Sequence, residues 1–231
     1  MRVKEIFATV QGEGSKAGVP AVFVRLTGCN LWSGNFNNRI GSGECAKWCD
    51  TDFFRGEKKS TPELISEIEK LTNGWYNKTV VITGGEPTLQ LRKRENYEFI
   101  LTLITLKYTV CIETNGTFSF EECPLLETLY YYKKGHITVS PKALQKNIDN
   151  GNASDISHLK LREGTDLKVI VPTHFDLKEL KDKTDFTNYY VQPMDNQDGN
   201  IGNNNLNLAL ELANKYGYKL SVQTHKLIGL P

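Results

Sequence analysis

The amino-acid sequence predicts an α/β fold, an incomplete (partial) TIM-like barrel of about six mainly parallel strands with helices between them. Three observations point to it. Short β-rich apolar runs alternate with stretches of helical periodicity, which is the pattern of a parallel sheet with crossover helices. The sequence shows six or so such units, short of the eight that close a barrel. Every polar motif falls where a predicted strand ends, at residues 27–29, 84–87, 113–116, 140–142 and 192–195, the edge at which α/β folds gather their sites.

The elements follow in chain order. AVFVRL (21–26) is the first predicted strand. Ser60-Thr61-Pro62-Glu63 is a helix start, with an N-cap hydroxyl, an early proline and an acid in the first turn; Leu64, Ile65, Ile68 and Leu71 continue it at helical spacing. TVVIT (79–83) is a strand running straight into Gly84-Gly85, and a helix over 95–106 follows. TVCIE (109–113), HITVS (136–140), LKVIVP (167–172) and YYVQP (189–193) read as buried strands, 175–183 and 205–216 as helices, and KLSVQT (219–224) as the last strand. Residues 145–166 and 196–205 read as polar, Asn-rich loops, and Cys123-Pro124 as an acidic turn. With no internal repeat and no linker, residues 1–231 read as one domain.

Composition narrows the function. Hydrophobic residues make up 39%, enough for a real core. The 28 basic and 27 acidic side chains nearly cancel, so there is no electrostatic case for a nucleic-acid or anionic-membrane partner. No apolar run approaches the ~20 residues of a membrane span, and MRVKEIFATV lacks the apolar stretch of a signal peptide. The chain therefore reads as cytoplasmic, where an odd count of five cysteines suggests ligands, catalysts or buried thiols rather than disulfides.

Three of those cysteines, Cys29, Cys45 and Cys49, fall in TGCNLWSGNFNNRIGSGECAKWCDTDF (27–53). Zinc prefers four ligands in close pairs. His136, His158, His174 and His225 are distant in sequence but could fold back. Three thiolates with one open position suit a [4Fe–4S] cluster. Spacing alone leaves zinc and iron–sulfur level, with metal-free buried thiols behind, since a Gly/Asn-rich loop offers little apolar cover. Cys111, alternating with Val110 and Ile112, reads as a buried strand thiol.

VRLTGCNLWSG and WCDTDF, with TGGEPTLQ, resemble the radical S-adenosylmethionine superfamily. Together with EIFATVQGEG, IETNGT, SPK, VQPMD and QTHKLIGLP, in this order and over nearly the whole chain, they resemble the family of 7-carboxy-7-deazaguanine synthases. The resemblance implies a radical S-adenosylmethionine core holding a [4Fe–4S] cluster on Cys29, Cys45 and Cys49. It implies a radical lyase that contracts 6-carboxy-5,6,7,8-tetrahydropterin to 7-carboxy-7-deazaguanine with loss of ammonia, in queuosine-type 7-deazapurine biosynthesis. S-adenosylmethionine would be cleaved by one electron to a 5′-deoxyadenosyl radical and regenerated. One departure is local: the family closes its cysteine loop with CxxC, whereas Cys45 and Cys49 are spaced CxxxC after a fifteen-residue insert, 30–44.

The resemblance also implies site residues. Trp48, Cys49 and Asp50, then Gly85, then Ser140, Pro141 and Lys142, and Gln192, Pro193, Met194 and Asp195 would meet S-adenosylmethionine. A plain strand–helix turn competes at Gly85, and plain strand-end turns compete at the other two motifs. Thr51 would ligate Mg²⁺, an ion that takes hard oxygens and few protein ligands. Val10, Gln11, Gly12 and Glu13, with Arg25, Thr83 and the terminal carboxylate of Pro231, would meet the pterin. Gln11 can both donate to and accept from an amide edge. Arg25 stands in an otherwise apolar strand, where a charge is costly unless paired, and a substrate carboxylate fits its planar fork; a structural salt bridge competes. His225 reads as structural. The implied partners are a flavodoxin- or ferredoxin-type electron donor and a second copy in a homodimer. Two other readings compete, a glycyl-radical activase and a zinc-stabilised binding module.

Overall fold

The structure is a computed structural model and describes residues 1–195 and 203–231. Its strands are β1 (Arg2–Val10), β2 (Pro20–Leu26), β3 (Glu57–Lys58), β4 (Thr79–Gly84), β5 (Thr109–Thr114), β6 (Gly135–Val139), β7 (Glu163–Val171), β8 (Asp185–Pro193) and β9 (Lys219–Leu220). Its helices are α1 (Thr61–Leu71), α2 (Thr88–Leu91), α3 (Tyr97–Thr105), α4 (Pro124–Tyr131), α5 (Gln145–Asp149), α6 (Leu177–Asp182), α7 (Asn203–Tyr216) and α8 (Thr224–Leu227). Among the described residues the strands form one open sheet in the order β3-β1-β2-β4-β5-β6-β7-β8-β9. From β2 to β9 neighbours run parallel; β1 pairs antiparallel with β2 and β3.

The central strands form where the apolar runs predicted them. Val80, Val81 and Ile82 of β4 and Val110, Cys111 and Ile112 of β5 are buried on both faces, so parallel strands covered on both sides read as unbroken apolar sequence. Helix α1 starts at the predicted cap, where the Ser60 amide donates to the Glu63 carboxylate at 2.8 Å, and it buries Leu64 and Ile68. Asp176 caps α6 by accepting from the amides of Lys178 and Glu179. The main core joins Leu26, Ile82, Phe99, Leu103, Ile112 and Leu126 between sheet and helices.

The structure corrects several expectations. β1 was not anticipated: a register shift between Val3 and Glu5 breaks its alternation, and most of its side chains are only half-buried. The stretch 145–166 is not all loop, for α5 opens it and the start of β7 closes it. Cys123 lies in no open turn but is buried as the N-cap of α4, with Pro124 at the first helical position. KLSVQT is strand only at Lys219–Leu220, because the chain then leaves the sheet and turns into α8. Helix α7 begins at Asn203, two residues before the predicted start; the polar loop expected over 196–205 lies, through residue 202, outside the described residues.

Candidate active site

A cavity of about 610 Å³ opens at the C-terminal ends of the parallel strands, roofed by residues of β1, the cysteine loop and the chain end. It brings together Val10, Gln11, Glu13, Arg25, Trp48, Cys49, Asp50, Thr51, Thr83, Gly85, Ser140, Lys142, Gln192 and Pro231 from the sequence expectations. Gly12, Cys29, Cys45, Pro141, Pro193, Met194 and Asp195 are not among its lining residues. The shared edge follows from parallel pairing: β2, β4, β5, β6 and β8 all point their motif-bearing ends the same way.

The cysteine loop builds a small core of its own. Leu31, Trp32, Cys45, Ala46 and Phe53 are buried together, with Cys29, Trp48 and Cys49 packed against them. The expectation that a Gly/Asn-rich loop offers its thiols little apolar cover is thus corrected: the loop folds the Trp32 and Phe53 rings inward, 5.2 Å apart edge to face. Arg39 braces it, donating to the carbonyls of Ala46 and Cys49 at 2.9 and 3.1 Å. The extra residue of CxxxC is absorbed by a single 3₁₀ turn over Glu44–Lys47, after which the Cys49 amide returns to the Cys45 carbonyl at 2.7 Å. Burial pushes the Cys29 thiol up to about 11 and the Cys45 thiol up to about 12. Both are protonated thiols at neutral pH, and any metal they ligated would have to displace the proton. Among the described residues, no three His, Cys, Asp or Glu side chains form a ligand set for a metal ion, and all five cysteines are free thiols.

The N-terminal QGEG turn is locked from several sides. Lys168 of β7 ion-pairs with Glu13, and the Glu13 carboxylate also accepts from Gln192 and Gln223 at 3.0 and 2.9 Å. Gln11 donates to Glu113 at 2.9 Å, and Thr83 donates to the other Glu113 oxygen at 3.0 Å. A Cβ on Gly12 would lie 1.9 Å from the His225 ring nitrogen Nδ1, so glycine here answers to the close approach of that ring. Burial, with Lys226 and Lys168 nearby, holds the His225 imidazole below its usual value, so it is neutral at pH 7.

Arg25 has a protein partner: its Nε donates to Glu5 at 2.6 Å, and its guanidinium stands 5.8 Å from the Phe7 ring centre. The competing salt bridge is therefore present. Thr51 lies between Asp50 and Asp52 at the rim, its hydroxyl 3.5 Å from an Asp50 oxygen. Lys142 is half-buried and donates to the Ser140 carbonyl and hydroxyl at 2.9 and 2.6 Å. The chain end closes one side of the cavity. Thr224 donates twice to the Gly12 carbonyl, Lys226 bridges Asp50 and Asp195 at 2.9 and 2.7 Å, and the Thr9 hydroxyl donates to Pro231 at 2.9 Å.

Gly85 answers two demands at once. It lines the cavity, and a Cβ there would lie 2.4 Å from the Gly28 carbonyl oxygen and 2.8 Å from Cys29 Cβ. Replacing Gly85 by Ala is expected to push the 28–29 backbone aside at a cost of about 1–3 kcal/mol. Thermal melting checks the cost, and iron retained per chain checks the displacement of Cys29.

Several lining residues were missed: Lys4, Glu5, Phe7, Phe23, Lys168, Gln223 and Lys226; Glu113, in a motif at the predicted edge, had been given no role. Lys168 carried the same signal that singled out Arg25, a lone charge inside an apolar strand, LKVIVP. Phe7 and Phe23, stacked 5.5 Å apart, carried none, since cross-strand pairing of β1 and β2 brings them together. The result is a pocket with a flat aromatic wall, amide and carboxylate groups for a polar heterocycle, and three thiols beside it.

No family model matches the chain. It is 37% identical to the 7-carboxy-7-deazaguanine synthase of Burkholderia multivorans, over 99% of this chain and 98% of that protein. It is also 37% identical to the 7-carboxy-7-deazaguanine synthase of Caulobacter vibrioides, with the same coverage. The crystal structure of QueE from Escherichia coli superposes with a TM-score of 0.63 at 23% identity, covering 96% of this chain and 93% of that one.

Proposed function

The chain belongs to the family of 7-carboxy-7-deazaguanine synthases, and on that premise we propose that its cavity converts 6-carboxy-5,6,7,8-tetrahydropterin to 7-carboxy-7-deazaguanine with loss of ammonia. This is a radical S-adenosylmethionine lyase step of queuosine-type biosynthesis. The observation that carries it is the meeting of thiol loop and cavity at Trp48, Cys49 and Asp50: Cys49 belongs to the loop's apolar cluster and to the cavity wall. A group held by that loop therefore faces whatever the cavity binds.

The donor set fits a [4Fe–4S] cluster. Three thiols share one braced loop, the donor number that suits a multi-atom cluster that leaves one iron open. Cys29, Cys45 and Cys49 would hold it. When bound, the cluster supplies the electron that cleaves S-adenosylmethionine. Trp48, Asp50, Gly85, Ser140, Pro141, Lys142, Gln192, Pro193, Met194 and Asp195 form the S-adenosylmethionine side. Val10, Gln11, Gly12, Glu13, Arg25, Thr83 and Pro231 form the pterin side. Arg25 exchanges Glu5 for the pterin carboxylate, Glu13 orients the pterin with its charge balanced by Lys168, and Thr51 offers Mg²⁺ a hydroxyl. Residues 1–231 act as one domain in which the open sheet curves as a partial TIM-like barrel. The enzyme works in the cytoplasm as a homodimer, reduced by a flavodoxin- or ferredoxin-type donor.

The test is anaerobic reconstitution with iron and sulfide, then incubation of the reduced protein with S-adenosylmethionine, Mg²⁺ and the tetrahydropterin, with products followed by mass spectrometry. The expected result is 7-carboxy-7-deazaguanine. 5′-Deoxyadenosine without the deazapurine would remove the substrate assignment, and a colourless protein holding no iron would remove the cluster.

A further inference from the structure

The TGGEP motif contains a carboxylate that no proposed role uses. Glu86 does not line the cavity; its side chain is fully buried. An isolated carboxylate there would be prohibitive, yet Glu86 is saturated by donors. One oxygen accepts from the Thr88 amide and hydroxyl at 3.0 and 2.6 Å and from the Thr114 hydroxyl at 2.7 Å. The other accepts from the Asn115 amide at 2.6 Å. Glu86 thereby fixes the loop that follows β5.

That loop reaches the first cysteine. The Asn115 side chain donates to Asn30 Oδ1 at 3.0 Å, Asn30 donates to the Thr117 hydroxyl at 2.8 Å, and that hydroxyl donates back to Asn115 at 2.7 Å. The ring so closed grips the residue directly after Cys29. On the other side, the Glu86 amide donates to the Gly28 carbonyl at 2.8 Å. Cys29 is bracketed, with Gly28 held by the backbone of Glu86 and Asn30 held, through Asn115, by its carboxylate.

We propose that Glu86 is the positioning residue for Cys29, its buried carboxylate setting where the first thiol of the loop stands. That the thiol serves a cluster rests on the proposed function; the positioning itself does not. Glu86→Gln preserves shape but turns an NH₂ group toward donors, so at least one contact becomes donor against donor.

The test reads the metal-free chain first. Wild type, Glu86→Gln and Asn30→Ala are treated with iodoacetamide, and the alkylation rate of each cysteine is followed by mass spectrometry. Loosening the bracket is expected to speed modification of Cys29 about tenfold, as local opening does, while Cys111 and Cys123, buried in the core, keep their wild-type rates. The reconstituted variants are expected to retain less iron, with a weaker and broadened EPR signal in the reduced state. Equal acceleration at Cys111 and Cys123 would mean that Glu86 merely supports the core, and an unchanged Cys29 rate in both variants would equally overturn the proposal. Asn30 is exposed, so Asn30→Ala breaks the last link without touching the core and carries the test even if Glu86→Gln does not fold.

Discussion

Cys49→Ala protein is expected to purify folded, to retain less iron after reconstitution than wild type, and to lose turnover by at least about a thousandfold, the scale of removing a group on which the chemical step depends. Stability should change little. Cys49 is half-buried on a loop that Arg39 and the aromatic pair Trp32 and Phe53 hold independently of it. Cys111→Ala should behave oppositely. Its thiol is buried in β5 against Ala21 and Val81, so its removal is expected to cost about 1–2 kcal/mol by the cavity it leaves. Iron content and turnover per folded molecule should be those of wild type. Parallel measurement of iron, thermal midpoint and product for the two variants separates ligand thiols from packing thiols. Equal iron loss in both would remove the ligand role assigned to the loop.

Lys168→Met is expected to lower stability strongly. Lys168 and Glu13 have side chains only 8% and 13% exposed, and Met removes the N–H donors along with the charge, whereas a deprotonated amine still donates to Glu13; the variant leaves that carboxylate in a dry site with two amide donors. Breaking such a pair costs about 3–5 kcal/mol, and each kcal/mol lowers the midpoint by about 2–4 °C in a chain of this size.

The same pair predicts a pH dependence. Burial pulls the Lys168 ammonium down from 10.5 to about 8. With the folded value below the unfolded one, the unfolded chain binds more protons between about 8 and 10.5. This group's contribution to stability therefore rises with pH across that window and is lost as pH falls through about 8. Turnover should run the other way, because above about 8 the ammonium discharges and Glu13 loses the charge that balances it. The kcat/KM profile of wild type is expected to fall above that pH while its melting temperature does not fall on this account, and Lys168→Met should lack the alkaline limb. An alkaline limb surviving in Lys168→Met would assign the titration to another group.

How much of this was legible before the fold is clearest at particular residues. The strands at 79–84 and 109–114 could be read because burial on both faces demands unbroken apolar runs. Parallel neighbours must end on one edge, so the motifs at their ends marked the cavity from the outset. Gly12 and Arg25 stood out in the sequence as positions, but their neighbours were not legible: His225 and Glu5 come from other segments of the fold. The sequence by itself therefore determined the central sheet, the edge that bears the site and the three loop thiols, since each follows from local composition and spacing. Only the tertiary structure decided that Lys168 meets Glu13 across 155 residues, that Glu86 governs Asn30 through Asn115, and that β1 and the chain end roof the cavity. Those pairings are contacts between segments far apart in the chain, and no local periodicity records which distant donor will satisfy a buried charge.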